Sequence, residues 1–123
     1  MENYVVDGTL SLALNVLPMG FSWAPYLAQH AHVHLLTSDV GVPKESLMAQ
    51  GMPVSRMSSG GLSVLPYCDN LSVGSSCPLF ADRTVAHAKG VAEAHGFIVH
   101  EVERASTKVA CLGLDIEMAL LAL

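Results

Sequence analysis

At 123 residues, 51% of them hydrophobic and 14% charged, the chain is long enough for one domain with a core and carries only about half the charge of an average soluble domain. Six basic residues against eleven acidic ones give a formal net charge of −5, and Lys44, Arg56, Arg83, Lys89, Arg104 and Lys108 stand singly, so no basic footprint for nucleic acid is visible. The stretch from Asp7 to Asp39 holds no charge between its ends, yet Asn15, Pro18, Gly20, Pro25, Gln29 and three histidines interrupt it too often for it to cross lipid.

The N-terminus lacks the basic start of a secretory signal, and Cys68, Cys77 and Cys111 form no C-x-x-C pair; the chain reads as intracellular, cytoplasmic or nuclear, with free thiols. Asp7-Gly8 separates two short apolar strands, Tyr4–Val6 and Leu10–Val16. After the break at Leu17-Pro18-Met19-Gly20, Ser22 is placed to cap a helix with Pro25 in its first turn, running to about Leu36 and apolar round most of its circumference, as an enclosed helix is. Residues 37–61 form a long connector rich in Ser, Gly and Pro, with one helical turn around Lys44–Gln50 and with Met48, Met52 and Met57 covering apolar surface. Leu62–Leu65 and Leu71–Val73 flank Tyr67-Cys68-Asp69-Asn70, whose Asp-Asn suits a hairpin tip. Following Pro78, the 3.6-residue recurrence of Phe80, Val85, Ala88, Val91 and Ala92 predicts a helix with Asp82 in its first turn and Gly96 as its stop. Phe97–Val102 and Val109–Glu117 read as strands, which completes an order ββαββαββ and an α+β sandwich.

Taken in order, Leu17-Pro18-Met19-Gly20-Phe21 with Ala24-Pro25 and Gln29, then Tyr67-Cys68-Asp69-Asn70, Gly96-Phe97 and Cys111-Leu112-Gly113 resemble the palm of a reverse transcriptase of retrotransposon type. The resemblance covers roughly Leu10–Glu117. It implies a single partial palm domain over residues 1–123, an antiparallel sheet with two main helices packed on one face. It further implies RNA-directed DNA synthesis by two-metal nucleotidyl transfer with Mg²⁺ or Mn²⁺, on an RNA or DNA template-primer and deoxynucleotides. By the same resemblance Asp69 is the metal-binding and catalytic carboxylate, with Asn70 beside it where the family has a second Asp. Tyr67, Pro18, Gly20, Phe21 and Gln29 are substrate-binding residues, and either Arg104 or Lys108 stands for a lysine that assists the leaving pyrophosphate. Gly20 is expected to let the backbone approach the incoming base pair, because it has no Cβ.

Three features depart from the family's pattern. Its other essential Asp belongs to a strand preceding the segment that starts here, as do its basic fingers; Asn70 is a neutral ligand; and Pro66 removes a ladder donor from a strand. The chain is therefore expected to be inactive alone and to need that N-terminal segment or another subunit. Two other classes compete: a non-catalytic interaction module, and a serine hydrolase in which Gly20-Phe21-Ser22-Trp23-Ala24 imitates a nucleophile elbow, with Asp69 and His95 or His100 completing a triad. His30 and His34 share a helix face at the spacing of zinc proteases, but without the Glu of H-E-x-x-H or a third ligand they read as partly exposed helical histidines.

Overall fold

The computed structural model describes residues 2–6, 9–13, 16–55 and 61–117, and over these the chain is α+β: three antiparallel two-stranded sheets and two α-helices. Strand β1 (Glu2–Val6) pairs with β2 (Thr9–Ala13). The Asp7-Gly8 turn, Asn15, Met57, the Ser58-Ser59-Gly60 stretch and the apolar tail after Glu117 lie outside the described residues. Helix α1 spans Ala24–His34, β3 Leu62–Tyr67, β4 Asn70–Ser75, α2 Pro78–Ala94, β5 Lys108–Cys111 and β6 Leu114–Glu117. The order ββαββαββ is the expected one, but the last two strands are displaced: Phe97–Val102 forms no strand, and Val109–Glu117 turns back on itself at Leu112-Gly113 instead of running straight.

Tyr67 and Asn70 face each other across a two-residue turn, so they form a hydrogen-bonded pair and the pairs alternate from there. Pro66 opposite Leu71 then falls in a non-hydrogen-bonded position, with its ring nitrogen on the outer edge of β3. The proline therefore costs β3–β4 no ladder bond, which resolves the conflict that Pro66 poses in the sequence. Val64, on the same outer edge, bridges Leu47 in parallel and its carbonyl accepts the Met48 N–H. The strands form three separate hairpins and do not merge into one sheet.

Leu62, Val64, Leu71 and Val73 share one face of β3–β4, and this face is the floor of the core. Val33 of α1 and Ala88 of α2 both pack against it, together with Leu36, Val42 and Leu47, so the two helices cover the same face. The connector is not a bare loop: a 3-10 turn at Lys44–Ser46 delivers Leu47 into the core, fully buried, and Ser63 on the opposite face bonds Ser55 Oγ and Met48 Sδ. Helix α1 passes directly into a π turn over Leu35–Asp39, which turns both Leu35 and Leu36 inward.

Both helices depart from expectation at their ends and faces. Trp23, not Ser22, is the N-cap of α1 and makes no side-chain cap bond. Helix α1 has no buried residue, with Trp23 at 60% and Tyr26 at 55% exposure, so it is packed on one side rather than enclosed. In α2 the buried residues are Ala81 and Ala88, while Phe80 is exposed. Asp82 falls beyond the first turn, and its carboxylate instead accepts the Ala105 N–H at 2.7 Å, tethering the segment that follows α2. Gly96, at φ +86°, ends the helix as expected. Among the described residues no helix is long and apolar enough to cross a membrane.

Candidate functional site

The tip of β3–β4 is Cys68-Asp69, a two-residue turn in which Cys68 takes a φ of +50°. A left-handed conformation costs a residue with a Cβ about 1 kcal/mol, so something must hold it there. Two side chains of α1, three residues apart and hence on one helix face, do so. Gln29 donates from Nε2 to the Pro66 carbonyl at 2.9 Å and accepts the Cys68 N–H on Oε1 at 2.7 Å. His32 Nδ1 lies 3.0 Å from the Cys68 carbonyl oxygen; a carbonyl only accepts, so Nδ1 carries the proton. Burial pushes the His32 pKa below the ordinary histidine value, opposed by that bond to Cys68 and by the negative charge of Asp69.

Held this way, Asp69 projects from an exposed tip with Tyr67 exposed beside it. Asn70 turns its amide nitrogen toward Asp69, Nδ2 to Oδ1 being 3.3 Å. The donor set is one carboxylate and one neutral amide, a share of a hard-cation site and not a two-metal centre. Among the described residues no three His, Cys, Asp or Glu side chains gather so as to hold a metal ion.

Gln29 is thus brought to the hairpin, but both ends of its amide are spent on backbone, so it faces the tip and not a nucleotide pocket. Pro18, Gly20 and Phe21 build the turn before α1, with Phe21 N–H donating to the Pro18 carbonyl. What the structure requires of Gly20 is its φ of +88°: a Cβ there would meet nothing within 4 Å, so close approach is not the reason within this chain. Lys108 pairs with Glu117 at 3.1 Å across the open end of β5–β6, the end away from that hairpin's own turn. That hairpin meets β4 through Ser72 Oγ and Cys111 Sγ, 3.0 Å apart.

Among the described residues no hydrogen bond joins Ser22 or Asp69 to His95 or His100, so the hydrolase triad is not assembled. His95 directs Nε2 to Asp39 at 3.4 Å and Nδ1 to the Val91 carbonyl, and Ser22 lies in the turn before α1. The His30 ring lies tilted against Tyr26 with ring centroids 4.2 Å apart, and His34 Nδ1 faces Ser38 Oγ. The histidine that matters at the tip is His32, which sequence reasoning passed over; its signal was the three-residue spacing from Gln29 rather than the four-residue spacing of its neighbours. Comparison with protein-family models, curated proteins and solved structures finds no match to this chain.

Proposed function

We propose that these residues are part of a reverse-transcriptase palm of retrotransposon type, whose activity is RNA-directed DNA synthesis by two-metal nucleotidyl transfer. The observation that carries this reading is the joining of two distant motifs: the helix that follows Leu17-Pro18-Met19-Gly20 grips the backbone of Tyr67-Cys68-Asp69-Asn70 through Gln29 and His32. Asp69 is the carboxylate that holds a hard cation, Mg²⁺ or Mn²⁺, with the neutral amide of Asn70 as a weaker neighbour. When bound there, such cations would supply neutralisation of the charge that develops as pyrophosphate leaves. Tyr67 presents an exposed ring to the primer end, and Phe21 stands at the helix entrance for the incoming deoxynucleotide. A second carboxylate has to join Asp69 from another segment of the same reading frame or from a second chain, together with basic surface for the template-primer. Alone, the 123 residues are inactive.

The test is RNA-templated primer extension by the chain expressed within its complete reading frame, with Mg²⁺ or Mn²⁺. Extension that drops at least about a thousandfold in Asp69→Ala supports the reading, since charge stabilisation at such centres contributes on that order. Extension unaffected by Asp69→Ala, or none from the complete frame, rejects it. A second reading, a non-catalytic interaction module, draws on the exposed Trp23, Tyr26 and Leu27 of α1. A monodisperse monomer in light scattering argues against it.

A further inference from the structure

We infer that His32 is a positioning residue that sets the direction of Asp69 by holding the Cys68 carbonyl. Cys68 is the hinge of the tip: its φ of +50° is the one point in the turn where a residue with a Cβ is left-handed, and Asp69 follows it immediately. The two polar groups of that residue's backbone are taken by different side chains, the N–H by Gln29 and the carbonyl by His32. Gln29 alone would leave the peptide between Cys68 and Asp69 without a side-chain bond, because its second bond goes upstream, to Pro66. The His32 bond is the one that fixes the downstream peptide, and with it the start of Asp69.

The ring is half-buried, and its Nδ1–H is committed to the carbonyl, which in the neutral form leaves Nε2 as the unprotonated nitrogen. An asparagine side chain places an N–H donor where histidine has Nδ1, whereas leucine fills similar space without a donor. His32→Asn and His32→Leu therefore separate the bond from the packing. The inference rests on the proposed nucleotidyl transfer only for what Asp69 does, not for how it is held.

The experiment is NMR on the full 123-residue chain, with Mn²⁺ as the probe at the tip. In the wild type, His32 is expected as the Nδ1–H tautomer, with a scalar coupling across the bond to the Cys68 carbonyl. His32→Leu is expected to change the Cys68 amide-to-Hα coupling that reports φ and to weaken Mn²⁺-induced broadening at Asp69 about fivefold, the contribution of an ordinary hydrogen bond. His32→Asn is expected to restore both. An Nε2–H tautomer in the wild type overturns the inference even if His32→Leu does not fold, and so does a folded His32→Leu chain with unchanged Cys68 coupling. Should Mn²⁺ leave Asp69 unbroadened in the wild type, Asp69 is not a cation ligand in this chain while the tautomer and coupling still decide the role of His32; the nucleotidyl-transfer reading itself is decided by primer extension from the complete frame.

Discussion

Cys68 and Leu112 are the residues other than glycine that take positive φ among those described, each at the first position of a two-residue hairpin turn. Their circumstances differ. Cys68 is held by Gln29 and His32, whereas Leu112, at φ +51°, precedes Gly113 at φ +77° in the pattern of a type I′ turn and is half exposed. Asparagine tolerates that conformation better than leucine, so Leu112→Asn is predicted to stabilise β5–β6 by about 0.5–1 kcal/mol, read as slower amide exchange in that hairpin. His32 supplies a pH prediction. Its folded pKa lies below the ordinary 6.5, so the unfolded chain binds a proton that the folded chain resists as pH falls through 6.5. Stability should therefore fall on acidification from neutral pH through that value, until the folded ring titrates too, and the His32→Asn melting temperature should lose this component. Of these two hairpins only β3–β4 was legible in the sequence, because a positive φ at cysteine or leucine has no compositional signal and the side chains that hold Cys68 lie 36 and 39 residues away.

At the scale of elements, local signals located what local physics determines. The helical recurrence from Val85 to Ala92 and the stop at Gly96 correspond to α2, and Tyr67 and Asn70 do flank a tip. The connector was opaque because Val42 and Leu47 enter the core as single residues among Ser, Gly and Pro, with no period to reveal them. The last strands were opaque for a different reason: the alternation of Leu112, Leu114 and Ile116 continues through a turn without breaking, and only the φ values of Leu112 and Gly113 show where the chain reverses. The core assignment makes a contrast that denaturation can check. Leu36, fully buried in the core cluster, should cost about 3 kcal/mol on mutation to alanine, while Leu27→Ala on the exposed side of α1 should stay within about 0.5 kcal/mol. Equal losses at the two positions would mean that α1 is enclosed, as its composition implies, and not packed on one side.

Across the whole molecule, the thin charge and the exposed apolar residues belong together. The described residues leave Phe21, Trp23, Tyr26 and Leu27 uncovered around the start of α1, the region that precedes the grip on the tip. The proposed palm, which would work only when joined by a further carboxylate and by basic surface, would account for both features and for the single carboxylate at the tip. The order of motifs was legible in the sequence; that Gln29 and His32 serve the hairpin backbone was not, since no pattern along the chain links positions so far apart. The central claim, that Asp69 is presented as a hard-cation ligand with Asn70 as its weaker neighbour, is tested most directly by titrating the chain with Mn²⁺ and following amide line broadening in wild type, Asn70→Asp and Asp69→Asn. The account predicts broadening centred on residues 68–70, strongest in Asn70→Asp, where two carboxylates stand together, and lost in Asp69→Asn; broadening that is diffuse, or equal in all three, contradicts it.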